Sequence, residues 1–349
     1  MLKLFLNPQF VVAAIVSTLA FAGHTRSATA ADKTSELTGV IEPILDSRSS
    51  TIDRITGDAS LLSSLRQPIH VLRPTRPVAD SATRIRVLIQ GGLHGNEPLA
   101  SEFVLWLAQR IRAGEGPLAE FSAAEIELVP FANPDGVQAG TRANPRGVNL
   151  NRNFATLWGM TRENPGEAKF SEAETRAIRA LFRARQYDIA IDVHGYINWL
   201  VGPSPAQSLV AAGRNVNQNR AALHGAWSRV LSTNMNRYLP GYELKSGALL
   251  GNGGAFEDWA FWDMGALAVC LELENRERFE RVDFLTSGIM AAKSQLNGGR
   301  DSFLRYEKFV AATIRNGIRL KEGGRRNLQI DIPSADNRPN SAAQRRLRS

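Results

Sequence analysis

The chain has 349 residues, 43% hydrophobic and 22% charged, with five histidines and one cysteine, Cys270. A lone thiol excludes an internal disulfide, so stability must come from burial; a body of about 300 residues can bury about three quarters of its unfolded surface, enough for one large domain. The formal charge is +8, but Lys3 and Arg26 lie in the first thirty residues and Lys321–Ser349 holds seven Lys/Arg against three Asp/Glu, so the body is only mildly basic, which argues against a nucleic-acid partner.

Lys3, the apolar run Phe10–Phe21 and the sites Ala20-Phe21-Ala22 and Ala28-Thr29-Ala30 read as a secretory signal over residues 1–30. The run is shorter than the about 20 residues a membrane span needs. The expectation is export and cleavage, a periplasmic or secreted product, and no stable membrane insertion afterwards. Residues 31–67 are polar and read as an N-terminal extension of a single catalytic domain over 31–320. Ile85–Gln90 is a buried strand running into the double glycine Gly91-Gly92. Pro98–Arg112 has helical spacing, with proline in its first turn. Ile126–Phe131 is a second strand, Glu172–Arg185 a charged amphipathic helix, and Asp188–His194 a third strand. Arg220–Tyr238 is helical, Leu267–Glu274 is another strand, and much of Arg281–Leu320 is helical. Residues 321–349 form a basic stretch expected to be a disordered tail. Strands alternating with helices predict an α/β fold with helices on both faces of the sheet.

The chemistry-bearing residues fall at or just after strand ends, where open α/β sheets bind ligands. His94 and Glu97 are three apart in Gly92-Leu93-His94-Gly95-Asn96-Glu97, so a helical turn puts them on one face. His194, at a neighbouring strand end, would close a tetrahedral site with one position left for water. His70 and His224 lack such a setting and read as structural or surface residues. Cys270 ends the apolar run Ala266–Val269 and reads as core.

Gly92–Glu97, Asn133-Pro134-Asp135-Gly136, Arg142, Gly147–Phe154, His194 and Glu272 together resemble, in order and over about half the chain, the M14 zinc carboxypeptidases. The stretch Asn133–Phe154 is most similar to the murein peptide amidases, which cut between D-glutamate and meso-diaminopimelate. The resemblance implies a zinc carboxypeptidase-like fold, α/β with a mixed central sheet and helices on both faces. It implies one Zn²⁺ ion on His94, Glu97 and His194. It makes Glu272 the general base, with Glu274, two residues along the same strand face, as the competing assignment. Arg142 would stabilise the developing oxyanion, and Asn151 and Arg152 would hold the substrate's terminal carboxylate.

Glu257 resembles the position lining the side-chain pocket, where a carboxylate favours lysine, arginine or the amine of diaminopimelate; a solvent-facing helix start is the equal alternative. Two departures stand out. Asn149 replaces the family's usual aspartate, which orients a zinc histidine. The place of the mobile tyrosine of digestive carboxypeptidases falls at Leu249 or Leu250, with Tyr242 the nearest tyrosine. The expected function is that of an exported zinc carboxypeptidase or amidase cleaving a C-terminal amide bond of peptides, murein peptides among them. The alternatives are an acyl-amino-acid deacylase of the succinylglutamate type, which the signal argues against, and an inactive envelope-binding homologue.

Overall fold

The computed structural model describes residues 61–73, 84–121, 124–246, 251–274 and 297–328. The expected signal, residues 31–60 of the extension, Leu249, Leu250 and residues 329–349 of the tail lie outside the described residues.

Among the described residues, six strands make one mixed sheet: β1 (Ile85–Gly91), β2 (Ala124–Val129), β3 (Ile189–Gly195), β4 (Trp199–Gly202), β5 (Glu243–Ser246) and β6 (Leu267–Leu273), in the order β2-β1-β3-β6-β4-β5. β2, β1, β3 and β6 run parallel, so their C-terminal ends share one edge; β4 pairs antiparallel with β6 and parallel with β5. The central strands are near-continuous apolar runs such as Ile189-Ala190-Ile191 and Leu267-Ala268-Val269, as strands covered on both faces require.

The helices are α1 (Pro98–Arg112), α2 (Gly116–Ala119), α3 (Pro134–Ala139), α4 (Ala173–Arg185), α5 (Ala206–Ala211), α6 (Gln218–Tyr238), α7 (Phe256–Trp262) and α8 (Asn297–Leu328). On one face α1 and α8 meet through Phe103, Phe303 and Tyr306, and Gly317 of α8 lies against Ile189 and Leu267. α6 joins that layer through Asn234, which donates to Thr313. On the other face α4 and α7 interlock through Phe182, Phe256 and Trp259, with Phe154 wedged among them.

The differences from the sequence reading have local causes. The second strand stops at Val129 because Pro130 has no N–H to extend the ladder. α6 starts at Gln218 because Asn217 caps it, accepting from the Arg220 backbone N–H at 3.2 Å. α8 continues past Leu320 to Leu328, so the first residues assigned to the tail are helix; Lys321 Nζ donates to the Gly265 carbonyl at 2.8 Å and ties this turn to the body. β4, β5 and α7 are too short for periodicity to reveal them. The segment just after the extension covers the outer edge of β2, where Leu72 and Leu128 exchange backbone hydrogen bonds of 2.8 and 2.9 Å.

Candidate metal centre

The loop after β1 is shaped by glycine. Gly92 has φ +69, and a Cβ there would lie 2.8 Å from the Pro130 carbonyl oxygen. A Cβ on Gly95 would lie 1.9 Å from the Gly136 backbone carbon. The loop carrying His94 therefore presses backbone to backbone on the start of α3. Asn133 shapes that start by accepting from the Gly136 N–H at 3.0 Å, with Pro134 in the first turn. This contact is why the His94 loop and Asn133-Pro134-Asp135-Gly136 work as one unit. Glu97 occupies the N-cap position of α1 but makes no capping hydrogen bond; its carboxylate turns to the histidines instead.

His94, Glu97 and His194 converge, all buried, with one ligating atom from each within 4.8 Å of the others. His94 Nδ1 lies 3.0 Å from Glu97 Oε1 and 3.0 Å from His194 Nδ1, and His194 Nδ1 lies 2.9 Å from Glu97 Oε2. Tetrahedral zinc with bonds of about 2.0–2.1 Å sets its ligand atoms about 3.4 Å apart, so a shift of a few tenths of an ångström per side chain admits the ion. The outward nitrogens are both engaged. His94 Nε2 meets Asn149 Oδ1 at 2.9 Å, and His194 Nε2 meets Asp192 Oδ2 at 2.9 Å. Each acceptor takes the Nε2 proton and leaves the Nδ1 lone pair facing inward, which is the tautomer a cation needs. The donor set thus fits zinc.

The carboxylates that favour a cation here also favour a proton on His194 Nδ1, which a bound ion would displace. Burial holds His94 below the usual imidazole value. For His194 burial acts the same way, but the carboxylates of Asp192 and Glu97 outweigh it and push its pKa well up. Burial also opposes an ionised Glu97, yet the two imidazoles hold it far below the usual carboxylate range.

Glu272 faces His194 across the β3–β6 ladder. It is half-buried, and its Oε2 has no hydrogen-bond partner among the described residues. Burial, with the charges of Glu97 and Asp192 adding to it, pushes its pKa up to about 7. Glu274 is committed elsewhere: its carboxylate pairs with Arg305 of α8, and its backbone N–H donates to the Tyr306 hydroxyl. Of the two glutamates considered for the base, only Glu272 stands beside the triad.

Arg142 reaches the cluster from the loop after α3, donating from one terminal nitrogen to Glu97 Oε1 and to His94 Nδ1, both at 3.1 Å. Arg152, in the 3₁₀ turn Leu150–Arg152, is buried and donates to the Asn151 carbonyl and to Glu163 and Asn252, while its Nε is unpartnered among the described residues. Asn151 Oδ1 accepts from the Phe256 N–H at 2.7 Å, which leaves Nδ2 as the end able to donate to a ligand. Glu257 is 3% exposed rather than solvent-facing, with Oε2 unpartnered among the described residues. Burial, then the charge of Asp258, pushes its pKa up to about 8. Tyr242 is buried in the core, and its hydroxyl donates to that of Tyr306 at 3.0 Å.

Three polar residues at the site have no role in the sequence reading. Asp192 lies two before His194, and the period-2 alternation of a strand puts both on one face, a signal that was available. Gln90 donates to Asp192 Oδ1 at 3.1 Å and fixes it. Glu163 comes from an irregular loop with no pattern to flag it, yet it contacts Arg142, Arg152 and Asn149.

Comparison with known proteins gives concordant results. Carboxypeptidase 2 of Trichophyton rubrum is 30% identical over 144 residues, 39% of this chain and 24% of that protein. Murein peptide amidase A of Escherichia coli K12 is 31% identical over 132 residues, 33% of this chain and 51% of that protein. The chain thus spans between a quarter and a half of the length of these relatives. The crystal structure of carboxypeptidase A from Helicoverpa armigera superposes with a TM-score of 0.57 over 89% of this chain and 80% of that one, at 18% identity, a likeness of fold. The profile of the zinc carboxypeptidase family matches residues 62–297, about two thirds of the sequence and the whole of the sheet, and on that match the chain belongs to the M14 zinc carboxypeptidase family.

Proposed function

We propose that the protein is an exported hydrolase that uses one zinc ion on His94, Glu97 and His194 to cleave a C-terminal amide bond of peptides. The observation that carries this reading is the convergence of two inward Nδ1 atoms and a carboxylate beside a half-buried glutamate with an unpartnered oxygen. Zinc held there supplies Lewis-acid polarisation of the scissile carbonyl and acidification of a water molecule. Glu272 takes the proton from the attacking water and returns it to the departing amine. Arg142 offers its guanidinium to the oxygen on which negative charge develops. Asn151 Nδ2 and Arg152 hold the terminal carboxylate and fix which bond is presented.

Glu257 supports a preference for a cationic side chain on the released residue. A buried carboxylate oxygen without a partner is costly, and an incoming ammonium or guanidinium relieves it. Diaminopimelate carries such an amine, and the identity to a murein peptide amidase favours murein peptides as substrates. The test is incubation of the purified protein with murein tripeptide and, separately, with peptides ending in lysine, arginine or leucine, with and without chelator, read by mass spectrometry. Chelator-sensitive loss of diaminopimelate or of the basic residues supports the reading. Release of none of them contradicts it and leaves a binding role for the fold.

A further inference from the structure

We infer that Glu163 is a positioning residue that locks the Asn149 side-chain amide in the orientation His94 requires and, through the same carboxylate, anchors Arg142 and Arg152. The inference rests on the zinc-hydrolase reading above. An asparagine beside a metal-binding histidine has a weakness that an aspartate lacks: its amide can present either oxygen or NH₂ to the ring. Only the oxygen accepts from Nε2–H and leaves Nδ1 free to bind a cation.

Here the choice is made from both sides of the amide. Asn149 Nδ2 donates to Glu163 Oε2 at 2.6 Å, while Asn149 Oδ1 meets His94 Nε2 at 2.9 Å and accepts from the Asn151 N–H at 2.9 Å. A carboxylate accepts only, so the NH₂ must face Glu163 and the oxygen must face His94. The negative charge that would adjoin the imidazole in an aspartate is thereby set one residue back, as a chain His94–Asn149–Glu163.

The same carboxylate takes Arg142 Nε at 3.2 Å and Arg152 at 2.7 Å. These pairs, with the Asn149 bond, outweigh burial and bring the Glu163 pKa down to about 2. Its backbone is fixed for this purpose. The Asn149 N–H donates to the Asn164 carbonyl at 3.0 Å, and Asn164 Nδ2 donates to the Gly147 carbonyl at 3.0 Å. The loop bearing Glu163 is stitched to the loop bearing Asn149.

The experiment is a double-substitution cycle on the full chain: wild type, Glu163→Gln, Asn149→Asp, and both together. Zinc affinity is measured by competition with a chromogenic chelator, and kcat and KM are measured separately on a cleaved peptide. Glu163→Gln should weaken zinc binding about tenfold, within the range seen when outer partners of metal ligands are removed. It should also raise KM about tenfold, since two guanidinium groups lose their shared anion. The reciprocal swap returns a carboxylate to His94 with an amide behind it, so zinc affinity should recover to within about threefold of wild type. KM should stay raised in the swap, because Glu163→Gln leaves no charge for the two guanidinium groups to share. A merely structural role predicts no such split. Tight zinc binding by wild type with Glu163→Gln within about twofold of it overturns the inference, whatever happens to KM. Failure of wild type to bind zinc overturns the reading of the site beneath it.

Discussion

Replacing Glu272 by glutamine should raise stability and abolish activity, and both effects can be sized. The substitution keeps the shape and removes the charge. Loss of general acid–base catalysis costs about 10²–10⁴ in kcat, which is about 3–5 kcal/mol of transition-state stabilisation. The opposite effect on folding comes from burial. Ionising Glu272 in the fold is disfavoured, with its pKa pushed from 4.5 to about 7. A carboxyl whose folded pKa lies above its unfolded value destabilises the fold above the unfolded value and is neutral below it. Linkage then gives a penalty of about 3 kcal/mol at pH 7, shrinking below about 1 kcal/mol at pH 5. The figure is an upper bound because Glu272 keeps some contact with solvent. Thermal unfolding of wild type and Glu272→Gln in the presence of chelator, at pH 5 and pH 7.5, reads the stability effect; steady-state turnover with zinc reads the catalytic one. The variant should melt several degrees higher at the upper pH, with the gain fading at the lower, while turnover is lost and zinc is retained. Wild-type turnover in the variant, or a lower melting temperature at pH 7.5, would refute the assignment of Glu272 as a half-buried base.

The remaining expectations follow from neighbouring residues. Asp192→Asn removes the charge that holds His194 Nε2, and zinc affinity should fall about 10–100-fold in the same chelator competition, with Gln90→Ala weaker in the same direction. Glu257→Gln should cut kcat/KM for peptides ending in lysine by about 30-fold or more while sparing those ending in leucine; equal losses would remove Glu257 from the specificity pocket. The pH profile of kcat/KM should show an acid limb, because Glu272 must be ionised to accept a proton. Its midpoint should lie below 7, since a dication nearby lowers the value of about 7 that the protein sets. A limb well above 7 would implicate a different group.

Much of this site was legible in the sequence because its parts sit at fixed places in a regular frame. His194 and Glu272 belong to strands whose apolar runs are unmistakable, and parallel pairing brings them face to face. His94 and Glu97 flank a helix start marked by glycine and proline. The family resemblance favoured Glu272 over Glu274, but periodicity alone could not separate them, because both share a strand face; in the structure Arg305, more than thirty residues later in sequence, pairs with Glu274. Glu163 was invisible for a related reason. Its partners are gathered by loop geometry, and no period in the sequence records that Asn164 and Gly147 are stitched together. α7 escaped because seven residues are too few to show a helical period, yet it carries Glu257 and, through the Phe256 N–H, orients Asn151.

The central claim is a single zinc ion held by two imidazoles and one carboxylate, and zinc-edge X-ray absorption on the purified protein tests it most directly. The account predicts one zinc per chain, with nitrogen and oxygen neighbours at about 2.0–2.1 Å in four-coordinate geometry, and loss of that signal in a His94→Ala/His194→Ala variant. A zinc environment unchanged by removing both histidines would contradict it.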